Sequence, residues 1–171
     1  MNLTDYQIQA AATAEAPAYD DRYLIPGIVA EFGELQGHRA KAFWQDRDPQ
    51  ATSRAIILEY GDLLWLTAIA LQAAGVTSED QFPDHVKKPR LFPNQAPEAA
   101  VANAIHRIFA TWLDEDPANL MPSYWGHLWV MLNHYAEDIT GVDAETVMRE
   151  NIAKLAARAN AGTLHGDGDY R

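Results

Sequence analysis

Residues 31–35 read EFGEL, and residues 59–63 read EYGDL. Both stretches run Glu, aromatic, Gly, acid, Leu, and both lie in segments whose apolar residues recur with helical spacing. A glycine inside a helix costs roughly 1 kcal/mol relative to alanine, and carboxylates one turn apart repel each other. A sequence that carries both costs twice uses these positions for something other than helix stability. At about 100° per residue, positions i and i+3 lie roughly 60° apart. Glu31 with Glu34, and Glu59 with Asp62, therefore each form a two-carboxylate face. Brought together, the two faces put four carboxylates in one place, an oxygen-rich set suited to Mg²⁺ or Mn²⁺. The glycines then read as points where a helix backbone or a ligand comes close.

Outward from these motifs, every long periodic segment predicts a helix and no run alternates with period two, so the fold class is all-α. The expected helices span 3–15 with Thr4 or Asp5 near the N-cap, 24–44 with Pro26 in its first turn, and 53–74 ending at Gly75. Three more follow: an amphipathic helix from Val101 through Leu113, a second over 122–140, and a last over 143–160 capped by Asp143. Between them, 77–97 holds Pro83, Pro89, Pro93 and Pro97 without sustained period, with the basic residues Lys87, Lys88 and Arg90 and the apolar Phe82, Leu91 and Phe92. A loop of that length inside a domain points to a border of the site or a brace between subunits. GVTSED at 75–80 is echoed by GVDAET at 141–146, which marks a single domain with a core of about 1–77 and 141–171 and an insertion of about 78–140.

The 171 residues fit one domain with a substantial core, and a hydrophobic fraction of 48% with five Trp, seven Tyr and five Phe describes a globular chain. The tryptophans are expected in the core or an interface. No cysteine is present, which removes disulfides, thiolate chemistry and Cys-based zinc sites and is compatible with a reducing cytoplasm. The opening MNLTDYQIQAAATAEA lacks the basic and apolar regions of a signal peptide, and the apolar run 63–76 is too short to span a bilayer, so a soluble cytoplasmic protein is expected. A net charge of −11 argues against electrostatic binding of nucleic acid polymers or anionic membranes. An anionic ligand would need positive charge brought to it, and a divalent cation held by carboxylates supplies that.

Cations also flank the motifs. His38 and Lys41 continue the Glu31–Glu34 face within roughly an 80° arc, whereas Arg54 lies about 140° from Glu59 around its helix and is left out of the site. On the last helix Asn151, Lys154 and Arg158 share an arc, the pattern a bound polyphosphate requires beside a carboxylate cluster.

These residues resemble the MazG-type all-α nucleoside triphosphate pyrophosphohydrolases. The family signature is ExxE, a spacer, ExxD, then an Asn-x-x-Lys-x-x-x-Arg helix, matched here by Glu31, Glu34, Glu59 and Asp62 and by Asn151, Lys154 and Arg158. The opening Tyr6-Gln7 with Thr13, and the ending GTLHGDGDYR, also look like the single-domain members. Ala30 stands where the fuller EExxE form has its first Glu, and 78–140 has no counterpart in compact members. The resemblance implies a helical bundle completed by dimerisation, as a homodimer or a dimer of dimers. It implies Mg²⁺-dependent cleavage of a nucleoside triphosphate to the monophosphate and pyrophosphate. Glu31, Glu34, Glu59 and Asp62 would be the metal ligands, with Glu34 orienting the attacking water or accepting its proton. Lys154 and Arg158 would neutralise the pyrophosphate, assisted by Lys41 and Arg171, and Asn151 would contact sugar, phosphate or metal. Two rival readings are a di-iron carboxylate bundle, disfavoured because no Glu has a His three residues later, and a non-catalytic helical interaction module.

Overall fold

The computed structural model describes residues 1–88, 95–114 and 121–163. Among them are seven α-helices and no strand: α1 Leu3–Ala11, α2 Asp21–Gln45, α3 Pro49–Ala73, α4 Asp84–Lys87, α5 Pro97–Asp114, α6 Pro122–Thr140 and α7 Ala144–Asn160. The all-α expectation holds.

The two long helices begin earlier than their apolar periodicity predicts, and the reason is in their caps. The Asp20 side chain accepts from the Arg22 amide, so α2 starts at Asp21 and Pro26 lies inside it, beyond the first turn. The Asp48 carboxylate accepts from the Ala51 amide at 2.8 Å, with Pro49 at the first helical position, so α3 starts there rather than at 53. Helix α5 likewise opens at Pro97. Helix α1 ends early, at Ala11 rather than 15, and its cap is Asn2 rather than Thr4 or Asp5. The carbonyl of Ala10 accepts from the Thr13 amide, the Thr13 hydroxyl and Trp65 Nε1, which closes the chain into a tight turn ahead of a 3₁₀ turn at Ala16–Tyr19. At the other end of α3, Gly75 takes φ +76 as expected. The Val76 amide donates to Leu71 O and the Gly75 amide to Gln72 O, the paired bonds of a Schellman stop.

Helix α3 is the axis of the fold. Every residue from Leu63 to Leu71 is buried, because α1, α2, α6 and α7 all pack around it. This accounts for its composition: an 18-residue window is apolar enough to cross a membrane by length and hydropathy, yet most of it is buried among the other helices. Polar groups pin the neighbours in register. Tyr60 Oη donates to Leu132 O on α6 at 2.8 Å, and Gln7 Nε2 on α1 donates to Ala68 O and Val76 O. The Arg39 guanidinium on α2 donates to Ile139 O and pairs with Glu98 on α5.

The segment expected as an insertion contributes to this same core. Trp125, Leu128, Trp129 and Leu132 of α6 and Val101, Ile105 and Ile108 of α5 belong to one continuous apolar cluster with the residues of α3. The proline-rich stretch is ordered over its first part: Ser78 and Gln81 form a capping box, and Phe82 and Val86 are buried against Gly126 of α6. Lys87 donates to Asp80 O. Arg90, Leu91 and Phe92 lie outside the described residues.

One glycine sets the approach of α7 to α3. A Cβ on Gly61 would lie 2.7 Å from Asn151 Cβ, so α7 approaches α3 only because that position is bare. We expect Gly61→Ala to destabilise the protein by about 1–3 kcal/mol, lowering Tm by roughly 2–4 °C per kcal/mol for a chain of this size. Gly37→Ala, whose Cβ meets nothing within 4 Å, should leave Tm unchanged or raise it. Thermal melts of the two variants side by side check both.

Candidate functional site

The antiparallel pairing of α2 and α3 brings the two acidic motifs together. Carboxylate oxygens of Glu31, Glu34 and Glu59 lie within 4.8 Å of one another; Glu31 and Glu59 are half-buried and Glu34 is exposed. His38 stands beside them, with Nε2 3.3 Å from Glu59 Oε1.

The fourth acid is held differently. Asp62 accepts a hydrogen bond from Asn151 Nδ2 at Oδ1, 2.7 Å away, and its other oxygen is paired with the Lys154 ammonium. The cause is the Gly61 crossing, which brings α7 close enough for its side chains to reach Asp62. Asn151 is fully buried, and its Oδ1 accepts from Tyr6 Oη at 3.2 Å, so it acts on the site through Asp62. Tyr6, Asn151, Asp62 and Lys154 thus form one chain of polar contacts linking α1, α7 and α3. Among the other predicted residues, Arg54 is paired with Glu150, away from the acidic motifs as its helical angle requires. Lys41 and Arg158 are exposed. Arg171 lies outside the described residues.

Negative charge is concentrated at this site. Burial pushes the Glu31 carboxyl up to about 8, reinforced by the negative charges of Asp62, Glu59 and Glu34 and opposed by Lys154. Tyr23 is raised by burial and then by the charges of Glu31 and Asp62, which locates its hydroxyl in the same field. Such a cluster stores repulsion that a proton or a cation relieves.

Two clefts share these residues. A wide one of about 670 Å³ is lined by Gly33, Glu34, Gly37, His38, Lys41, Glu59 and Arg158. A smaller one of about 220 Å³ is lined by Glu31, Asp62, Tyr23, Trp65, Leu66, Leu155 and Arg158, with Thr13, Glu15, Pro17 and Ala18. The acidic motifs and Arg158 border both. Glu15, Tyr23, Trp65 and Leu155 escape a reading by motif, since they come from four segments and only packing assembles them. The crossing of α3 and α7 accounts for Gly61, while Gly33, with nothing within 4 Å of a notional Cβ, faces open space in the wide cleft.

No protein-family model, curated protein or solved structure matches this chain.

The raised Glu31 sets a pH dependence. The native state binds this proton more tightly than the unfolded chain, whose carboxyl titrates near 4.5. The contribution to stability is therefore complete below pH 4.5 and is lost as pH rises toward about 8. In chelator, wild-type Tm should fall relative to Glu31→Gln across that window, and millimolar Mg²⁺ should recover it at the alkaline end. Parallel melting curves for the two proteins would remove the assignment.

Proposed function

We propose that this chain is a divalent-cation-dependent nucleoside triphosphate pyrophosphohydrolase, releasing a nucleoside monophosphate and pyrophosphate. The observation that carries this reading is the convergence of Glu31, Glu34 and Glu59 within 4.8 Å, beside Asp62 and between clefts that both reach Arg158. The donor set is hard oxygen, which fits Mg²⁺ or Mn²⁺, and the raised Glu31 marks negative charge in need of a counterion. When bound, the cation supplies charge neutralisation and Lewis acidity toward phosphoryl oxygens.

The side chains have separable tasks. Glu34, exposed at the mouth of the wide cleft, orients the attacking water and accepts its proton. As the water oxygen bonds to the α-phosphorus, the bridging oxygen leaves with pyrophosphate. Arg158 takes up charge on that leaving group. Lys154, paired with Asp62 in the free protein, is positioned to exchange this carboxylate for phosphate oxygens. Lys41 adds positive charge in the wide cleft. Asn151 keeps Asp62 oriented.

A homodimer belongs to the same reading. Val29, Gly33, Ala40, Phe43 and Trp44 share one exposed arc of roughly 100° on α2. Phe43 and Trp44 are 86% and 82% exposed, which supports a second copy covering this face next to the wide cleft. Light scattering at micromolar concentration should report a dimer or tetramer in wild type and a smaller species after Phe43→Ser with Trp44→Ser.

The test of activity is a panel of ribo- and deoxynucleoside triphosphates assayed for pyrophosphate with Mg²⁺. Glu34→Gln and Asp62→Asn keep side-chain volume and should each lose more than about tenfold in rate, above about 1.4 kcal/mol. A protein that releases no pyrophosphate from any nucleotide would be read instead as a non-catalytic helical module.

A further inference from the structure

We infer that Arg107, His127 and His85 form a binding site for a dianionic phosphate group, separate from the acidic cluster. No residue of α4, α5 or α6 borders either cleft at the carboxylates, whereas these three groups come one from each of those helices. Packing brings them together. On α6, Tyr124 and His127 stand at i and i+3, roughly 60° apart. The buried Trp125, Trp129 and Leu132 lie about 140–160° around the helix from His127, so this face points away from the core. Helix α5 packs along α6 and sets the Arg107 guanidinium over the Tyr124 ring, 5.2 Å from its centroid. The α4 turn comes down on α6 at Gly126, where a Cβ would lie 3.1 Å from Phe82 Cδ1 and 3.3 Å from Val86 Cγ1. That bare position brings His85, next to Val86, toward His127, next to Gly126.

The charges that reach His127 are those of Arg107 from α5 and His85 from α4. Asp84 is the one carboxylate on the α4 turn, and Arg107 has no salt bridge among the described residues. Burial of the half-buried His127 first, and then the two neighbouring cations, hold its imidazole below the ordinary value of 6.5. An anion among the three groups offsets that repulsion. Binding therefore takes up a proton and strengthens as pH falls through that value. A guanidinium offers paired N–H donors that match two oxygens of one anion, and each protonated imidazole adds N–H donors of its own. Three groups that carry up to three positive charges leave a single carboxylate outweighed, whereas a phosphate group brings close to two negative charges near neutral pH.

The test is calorimetric titration with sulfate, inorganic phosphate and AMP at fixed ionic strength in chelator, where no divalent cation links an anion to the carboxylates. Sulfate remains a dianion throughout, so its affinity isolates the imidazoles and should rise roughly tenfold as pH falls through the histidine range. By NMR, the His127 imidazole should titrate at higher pH in sulfate than in chloride. Arg107→Gln should weaken sulfate binding roughly 10–100-fold, the range of a hydrogen bond to a charged group, and His127→Gln should flatten the pH dependence. Arg107 and His85 are exposed, so Arg107→Gln and His85→Gln test the site without opening the core. Arg149→Gln makes the same change of net charge on α7, where Arg149 pairs with Glu145, and should leave affinity unchanged. No heat from sulfate or phosphate at millimolar concentration, affinity independent of pH, or equal weakening by Arg149→Gln overturns the site. AMP binding tighter than phosphate supports the site and assigns the group to a nucleotide; phosphate binding as tightly or more tightly supports it and assigns the free ion.

Discussion

The burial of α3 on every side is the constraint from which the rest follows. Because each residue from Leu63 to Leu71 is buried against a neighbouring helix, the helix cannot rotate without driving those side chains into space that is already filled, where overpacking costs about 1–3 kcal/mol. The rotation fixes where Glu59, one turn before this run, and Asp62, immediately before it, point. Glu59 meets the acids of α2, and Asp62 meets α7. Gly61 lies between them and lets α7 come in close. The polar site is thus aimed by the apolar core.

The resulting electrostatics are lopsided. Asp62 has an ammonium and an amide donor, while Glu31, Glu34 and Glu59 lie within 4.8 Å of one another, with His38 beside Glu59. The protein tolerates this because Glu34 remains exposed and Glu31 can hold its proton up to about pH 8. A chain of net charge −11 that gathers its acids further in one spot repels anions there unless a cation intervenes. Arg158 and Lys41 line the wide cleft beside these acids.

The helices were legible because their signal is local. Period, caps and stops are written into neighbouring residues, so α6 and α7 stand where the pattern puts them. The misplaced ends had local causes that outweigh apolar period: Asp20 and the Asp48-Pro49 pair start helices ahead of their apolar stripes. The early end of α1 was beyond reach, since the Ala10 carbonyl that turns the chain is claimed in part by Trp65, 55 residues away.

The sequence by itself determined that the protein is all-helical and that two acidic pairs lie on helix faces, because a helix repeats every 3.6 residues and i, i+3 spacing needs no tertiary information. Only the tertiary structure decided how those pairs divide. Four carboxylates expected as one set became three in contact and a fourth tied to Asn151 and Lys154, since the angle between helices and the depth of their crossing depend on side chains distant in the chain. The small cleft is of the same kind: Thr13, Glu15, Tyr23, Trp65 and Leu155 share no motif and meet only because α1, α2 and α7 pack around α3.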